Sequence, residues 1–115
     1  MILGNSEREA QVRLFLSAYE RKDIETISKM FAVDVVLRDW NRQVSGLDEA
    51  VAEYSKNFRD ADSLSITVNQ ILESESGVAA ELEIVVNKSE RLSVVDVFTF
   101  NEDSKITSVV AYKGL

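Results

Sequence analysis

Two aspartates in this chain sit where carboxylates are costly. In Arg91 to Phe100, RLSVVDVFTF, an extended strand puts Leu92, Val94, Asp96, Phe98 and Phe100 on one side and Ser93, Val95, Val97 and Thr99 on the other. Asp96 therefore has apolar neighbours on both flanks of its face. Burying that carboxylate ionised and unpaired costs several kcal/mol, so it must find hydrogen-bond donors or take up a proton. A proton held on a buried acid is available for chemistry. Two plainer arrangements fit the same pattern: the face turns to solvent at Asp96, or one hydroxyl or backbone amide satisfies the carboxyl for structural reasons. In Val33 to Trp40, VDVVLRDW, the residues Val35, Leu37 and Asp39 share a face, which puts a second carboxylate at the end of an apolar stripe. Asp39 is there either a pocket carboxylate or a solvated residue opening the next loop.

Composition makes these carboxylates more telling. The chain has no Cys and no His, which removes disulfides, thiol nucleophiles, histidine triads and the commonest metal ligands. Acid-base work falls to Asp, Glu, Tyr or Lys, and no metal or other cofactor is expected. A net charge of -7 without a Lys/Arg cluster argues against nucleic acid and anionic membranes as partners. An apolar share of 45% and a charged share of 29% suit a folded globular domain, and 115 residues suit one domain over 1–115. Met-Ile-Leu-Gly turns polar too soon for a signal-peptide core and no run is long enough to span a membrane, so a cytoplasmic protein is expected.

The elements that must position these residues are legible in order. Ser6-Glu7-Arg8-Glu9 has capping-box spacing, and Val12, Phe15, Leu16 and Tyr19 follow at helical spacing, predicting a helix from Glu7 to Arg21. Asp23 caps a shorter helix with Ile24, Ile27, Met30 and Phe31 as its stripe. Phe15, Tyr19 and Phe31 face inward, as core packing or as ligand contacts. After the Val33 strand, Asn41 to Gly46 reads as a loop. A third helix starts at Ser45-Gly46-Leu47-Asp48, with Leu47, Ala50, Val51, Tyr54 and Phe58 on one face. Tyr54 is a core residue with a polar tip or a pocket donor. From Ser63 the pattern alternates: strands at Ser63 to Leu72, Val78 to Asn87, the Asp96 segment, and Ile106 to Tyr112. Turns fall at Glu73 to Gly77, Lys88 to Glu90 and Asn101 to Lys105. Three helices, one early strand and a four-strand meander predict an α+β fold, a curved antiparallel or mixed sheet wrapped on one face by N-terminal helices, with a pocket between. No repeat, phosphate loop or metal motif is present.

With GLDEAVAEYSKNF as third helix and VVDVFTFNEDSKITSVVAYKG as closing hairpin, the chain resembles the cone-shaped nuclear transport factor 2-like (NTF2-like, cystatin-like) α+β fold, in its branch of small bacterial SnoaL-like and ketosteroid-isomerase-like proteins. The resemblance runs from about Gln11 to Gly114. That fold hosts enzymes, binding proteins and dimerisation modules alike. The resemblance to ketosteroid isomerase implies a general base at Asp39, in DWNRQVSG, and a protonated hydrogen-bond donor at Asp96, in VVDVFTF. The spacing from the D-I-E segment in DIETISKMFAVDVVLRD agrees. Both matches fall on the residues that periodicity singles out. The departures are Phe15, where the family has its oxyanion tyrosine, Phe31 for a supporting tyrosine, and Trp40 for a proline; Tyr54 matches a pocket tyrosine.

Three functional expectations follow. As an enzyme, the protein transfers a proton next to a carbonyl, as an isomerase or cyclase, with Asp39 as base, Asp96 as donor, and Phe15, Tyr19, Phe31, Trp40, Tyr54 and Phe98 contacting an apolar or ketone-bearing ligand. As a binding module, it keeps the pocket without chemistry, a reading favoured by the lost hydroxyl at Phe15. As an interaction domain, it forms a homodimer through the outer sheet face with Ser93, Val95, Val97 and Thr99, around a vestigial pocket.

Overall fold

The computed structural model describes residues 7–115. Three helices precede most of the sheet: α1 (Glu7–Glu20), α2 (Ile24–Met30) and α3 (Leu47–Asp60). The strands are β1 (Phe31–Arg38), β2 (Gln43–Ser45), β3 (Leu64–Glu73), β4 (Val78–Val86), β5 (Glu90–Phe100) and β6 (Ile106–Lys113). They form one sheet in the order β2-β1-β6-β5-β4-β3, parallel between β1 and β6 and antiparallel elsewhere. This is the mixed, helix-wrapped α+β plan that the patterning predicts.

Local chemistry sets most boundaries. Asp23 caps α2 through Oδ1, which accepts from Thr26 N at 3.1 Å, while its Oδ2 accepts from Thr26 Oγ1 at 2.7 Å. The Ser6 side of the expected capping box on α1 lies outside the described residues. Two expectations need correction. β1 starts at Phe31 rather than Val33, because the backbone turns extended directly after Met30 (φ -86°, ψ 143° at Phe31). The segment expected as a loop over Asn41 to Gly46 contains β2, which pairs with β1 through Val36 with Ser45, Leu37 with Val44 and Arg38 with Gln43. Three residues with one apolar side chain carry too little alternation to announce a strand.

The sheet curves into a cup. Register shifts fall in β1 between Phe31 and Val36, in β3 between Val68 and Gln70, and in β5 between Thr99 and Phe100, and such bulges bend a strand and tighten its twist. Burial then changes along the strands. At one end Val78 pairs with Phe98, and both pack with Ile106, Ile27 and Val35 as solid core. At the other end Ile84 pairs with Leu92 and Val86 with Glu90, and the inward side chains Ile84, Val86 and Leu92 are only half-buried. Lys22, at positive φ (61°), donates from Nζ to the carbonyl of Ala61 and so ties the α1–α2 corner to the end of α3. The helices are thereby held across the open end of the cup. Of the outer face, Thr99 shares its hydroxyl with Thr107 and Ser108 at 2.6 Å each, and Val95 and Val97 are half-buried.

Candidate functional site

Between the half-buried end of the sheet and the helices lies a cavity of about 360 Å³. Its sheet wall is aliphatic, including Ile66, Leu82, Ile84, Leu92, Val94 and Val109; its helix wall carries Phe15 and Tyr19 from α1 and Glu53, Tyr54 and Asn57 from α3. Asp39 and Asp96 both line it.

Strand register explains how two residues so far apart in sequence meet there. Asp96 pairs with Ala80 on β4 and with Ala111 on β6. Asp39 follows directly on the Arg38–Val110 pair of the parallel β1–β6 ladder, which places it beside Ala111. The two aspartates therefore lie on either side of β6 near Ala111, two strand spacings or roughly 10 Å apart across the sheet. Methyl side chains on both sides of Asp96 leave room above it. One rung toward the core Phe98 fills the space completely, at 0% exposure.

The two carboxyls differ in environment. Asp39 Oδ1 accepts from the backbone N–H of Asn41 at 2.7 Å and of Arg42 at 3.0 Å, and its own N–H donates to the Arg42 carbonyl at 3.0 Å. It shapes the loop that carries Trp40, and Oδ2 has no hydrogen bond among the described residues. Asp96 makes no side-chain hydrogen bond or ion pair among the described residues, and it remains in contact with the cavity rather than sealed from it. Burial alone pushes its carboxyl up to about 7. Near neutral pH Asp96 thus divides between acid and carboxylate.

Two phenols join them. Tyr54 is driven well above its ordinary value, first by burial and then by the charges of Tyr19, Asp96 and Asp39. Tyr19 is pushed up to about 12, again chiefly by burial, with Asp96 and Asp39 adding and a hydrogen bond from Asn57 opposing. Both hydroxyls therefore keep their protons, and both feel the two aspartates. The Tyr54 hydroxyl has no hydrogen bond among the described residues. At the rim, Arg42 meets Glu53 at 3.1 Å, and Lys113 Nζ lies 5.6 Å from the Trp40 ring centre.

The expected site residues separate into two groups. Asp39, Asp96, Phe15, Tyr19, Trp40 and Tyr54 converge on the cavity, Trp40 as a rim residue 46% exposed. Phe31 and Phe98 do not line it, which corrects the expectation that they contact a ligand. They lie behind Phe15, with ring centres 6.0 and 5.2 Å from it, and hold that ring from the core side. Asn57, Glu53, Ala80 and Ala111 escape the sequence reading. Asn57 follows Tyr54 by three positions and could have been found on the helical wheel; the alanines become meaningful only through register. Among the described residues no group of three or more His, Cys, Asp or Glu side chains could hold a metal ion, and no helix among them is long and apolar enough to cross a membrane.

Comparison with known proteins gives a consistent picture. A family model described as a SnoaL-like domain matches residues 12–109. Among solved structures, a SnoaL-like protein of unknown function from Burkholderia thailandensis superposes with a TM-score of 0.86 at 14% identity, covering 99% of this chain and 100% of that one. An NTF2-like protein of unknown function from Cytophaga hutchinsonii gives 0.79 at 15% identity, covering 99% and 95%. SalBIII, an epoxide hydrolase/cyclase-like enzyme with a role in pyran ring formation in the polyether salinomycin, gives 0.82 at 19% identity, covering 95% and 92%. No curated protein matches the sequence.

Proposed function

The chain belongs to the SnoaL-like family of the NTF2-like superfamily, and from that premise we propose that it binds a small, neutral, largely apolar ligand and moves a proton next to the ligand's carbonyl, as an isomerase or a cyclase does. Asp39, which lines the cavity, is the base. Asp96 in its protonated form donates to the carbonyl oxygen as negative charge develops there. The observation that carries this reading is the unpartnered Asp96. A fold under selection for stability alone would replace a carboxyl that no donor compensates. The cavity supports the ligand class: its volume falls at the low end of the roughly 300–1,000 Å³ usual for small-molecule sites, and the carboxyls Asp39, Glu53, Asp60 and Asp96 outnumber Arg38 and Arg42 around it, which disfavours an anion. The fold shared with a cyclase-like enzyme is in keeping with this chemistry.

A β,γ-unsaturated cyclohexenone tests it directly, since moving one proton from the α to the γ carbon brings the double bond into conjugation and raises ultraviolet absorbance. The wild-type protein should accelerate that change. Asp39→Asn should abolish it while keeping the loop, because the amide oxygen can still accept from Asn41 and Arg42. A carrier role is the second reading, favoured by the phenyl ring of Phe15 where a hydroxyl would strengthen an oxyanion site. In that case the conjugated cyclohexenone binds, Asp96→Ala weakens it, and no isomerisation is accelerated by the wild type.

A further inference from the structure

Tyr19 is an unusual cavity residue because its ring is fixed from three sides and its oxygen from a fourth. The ring stands edge-on to Tyr54 (centres 5.0 Å apart, planes at 90°) and to Phe58 (4.8 Å, 73°), and Phe15 packs beside it at 6.2 Å. Its hydroxyl oxygen accepts from Asn57 Nδ2 at 3.3 Å. An amide nitrogen has only protons to give, so this bond occupies a lone pair of Tyr19 and leaves the phenolic proton unspent. No acceptor among the described residues takes that proton. The phenol thus presents a donor, without an acceptor among the described residues, to the cavity that holds Asp39 and Asp96.

We propose that Tyr19, oriented by Asn57, is a second hydrogen-bond donor, beside Asp96, to the carbonyl oxygen of the ligand, one helical turn along α1 from Phe15. The assignment rests on the carbonyl-ligand reading above and adds the donor that Phe15 cannot supply. Tyr19 touches the ligand; Asn57 is a positioning residue, acting only through the Tyr19 oxygen. The α3 spacing serves both tasks, because Tyr54 and Phe58 at i and i+4 clamp the Tyr19 ring while Asn57 between them reaches its hydroxyl.

The test uses the whole 115-residue chain and the conjugated cyclohexenone with an isotope-labelled carbonyl, whose infrared stretch falls in frequency as it accepts hydrogen bonds. The chain has no cysteine, so the enone meets no thiol. In the wild type the bound carbonyl should absorb below its frequency in hydrocarbon. Tyr19→Phe should move it back up and weaken binding by up to about tenfold, the usual worth of one neutral hydrogen bond. Asn57→Asp, which turns the donor into an acceptor that captures the Tyr19 proton, should reproduce the frequency change with the phenol still present, whereas a packing role for Asn57 would leave the stretch alone. In the free protein, Asn57→Leu should push Tyr19 further up in an NMR titration of the tyrosine ring carbon, since the lost bond favours the phenolate. If the enone binds and Tyr19→Phe leaves both stretch and affinity unchanged, the donor assignment is wrong and the carbonyl-ligand reading survives. If the enone does not bind and Asp96 titrates as an ordinary carboxyl, that reading falls and takes the assignment with it.

Discussion

Replacing Asp96 with Asn should stabilise the protein in one pH range and leave it unchanged in another. Burial raises the Asp96 carboxyl from 3.8 to about 7. The folded protein therefore holds a proton across a window in which the unfolded chain has released it, and folding stability contributed by this group falls as pH rises from about 4 to about 7. Above that window the penalty is complete. At about 1.4 kcal/mol per unit, the interval between 3.8 and about 7 amounts to at most about 4 kcal/mol. It is an upper figure because the carboxyl opens onto a cavity that water can enter. Against a total stability of roughly 5–15 kcal/mol for a domain of this size, the effect is large. Asparagine keeps the shape and carries no charge. Urea unfolding of wild type and Asp96→Asn at half-unit steps from pH 4 to pH 8.5 isolates the group, because the other carboxylates contribute alike to both proteins. The difference should be near zero at pH 4, grow in favour of the variant through pH 5 to 7, and level off above. Parallel curves over the whole range would refute the argument that an uncompensated, buried carboxyl sits at this position.

Further outcomes follow from the same geometry. Ala111→Leu fills the place between Asp39 and Asp96 with a side chain that projects into empty space, so circular dichroism should stay native while cyclohexenone binding is lost. Phe98→Ala removes a fully buried ring from the closed end of the cup and should cost about 3–5 kcal/mol in chemical denaturation. Gly77→Ala should lower the melting temperature, because its new Cβ would meet the Phe98 carbonyl oxygen at 2.4 Å and force the β4–β5 ladder to shift. Asp23→Ala should also lower it. Hydrogen bonds from the Thr26 hydroxyl and amide hold the Asp23 carboxyl below its ordinary value, so its contribution is present above about pH 4 and fades as pH falls further, and the two proteins should converge in acid.

Much of the site's population was already written in local pattern. The helical repeat put Phe15, Tyr19 and Tyr54 on inward stripes, the alternation of RLSVVDVFTF put Asp96 on the inner face of β5, and VDVVLRD put Asp39 next to the end of β1, which stops at Arg38. Those are properties of one element at a time, since the periods of 3.6 and 2 fix which side chains share a face without reference to any partner. The same reasoning failed where depth along a strand mattered. Phe98 and Asp96 share a face, yet Phe98 is core and Asp96 borders the cavity, because burial grades along β5 with the closing of the cup. Phe31 likewise satisfies an inward pattern but ends behind Phe15.

Local pattern and composition therefore yield the set of elements, their inward faces, and a chemistry confined to carboxyls and phenols by the absence of Cys and His. Which of those groups meet depends on long-range packing: the parallel β1–β6 register that brings Asp39 and Asp96 to either side of β6, the bulges that curve the sheet, and the α1–α3 packing that brings Asn57 to Tyr19. Register and helix docking are set by contacts between residues remote in the chain, and the free energy of each depends on how all the others pack, so no local period encodes them.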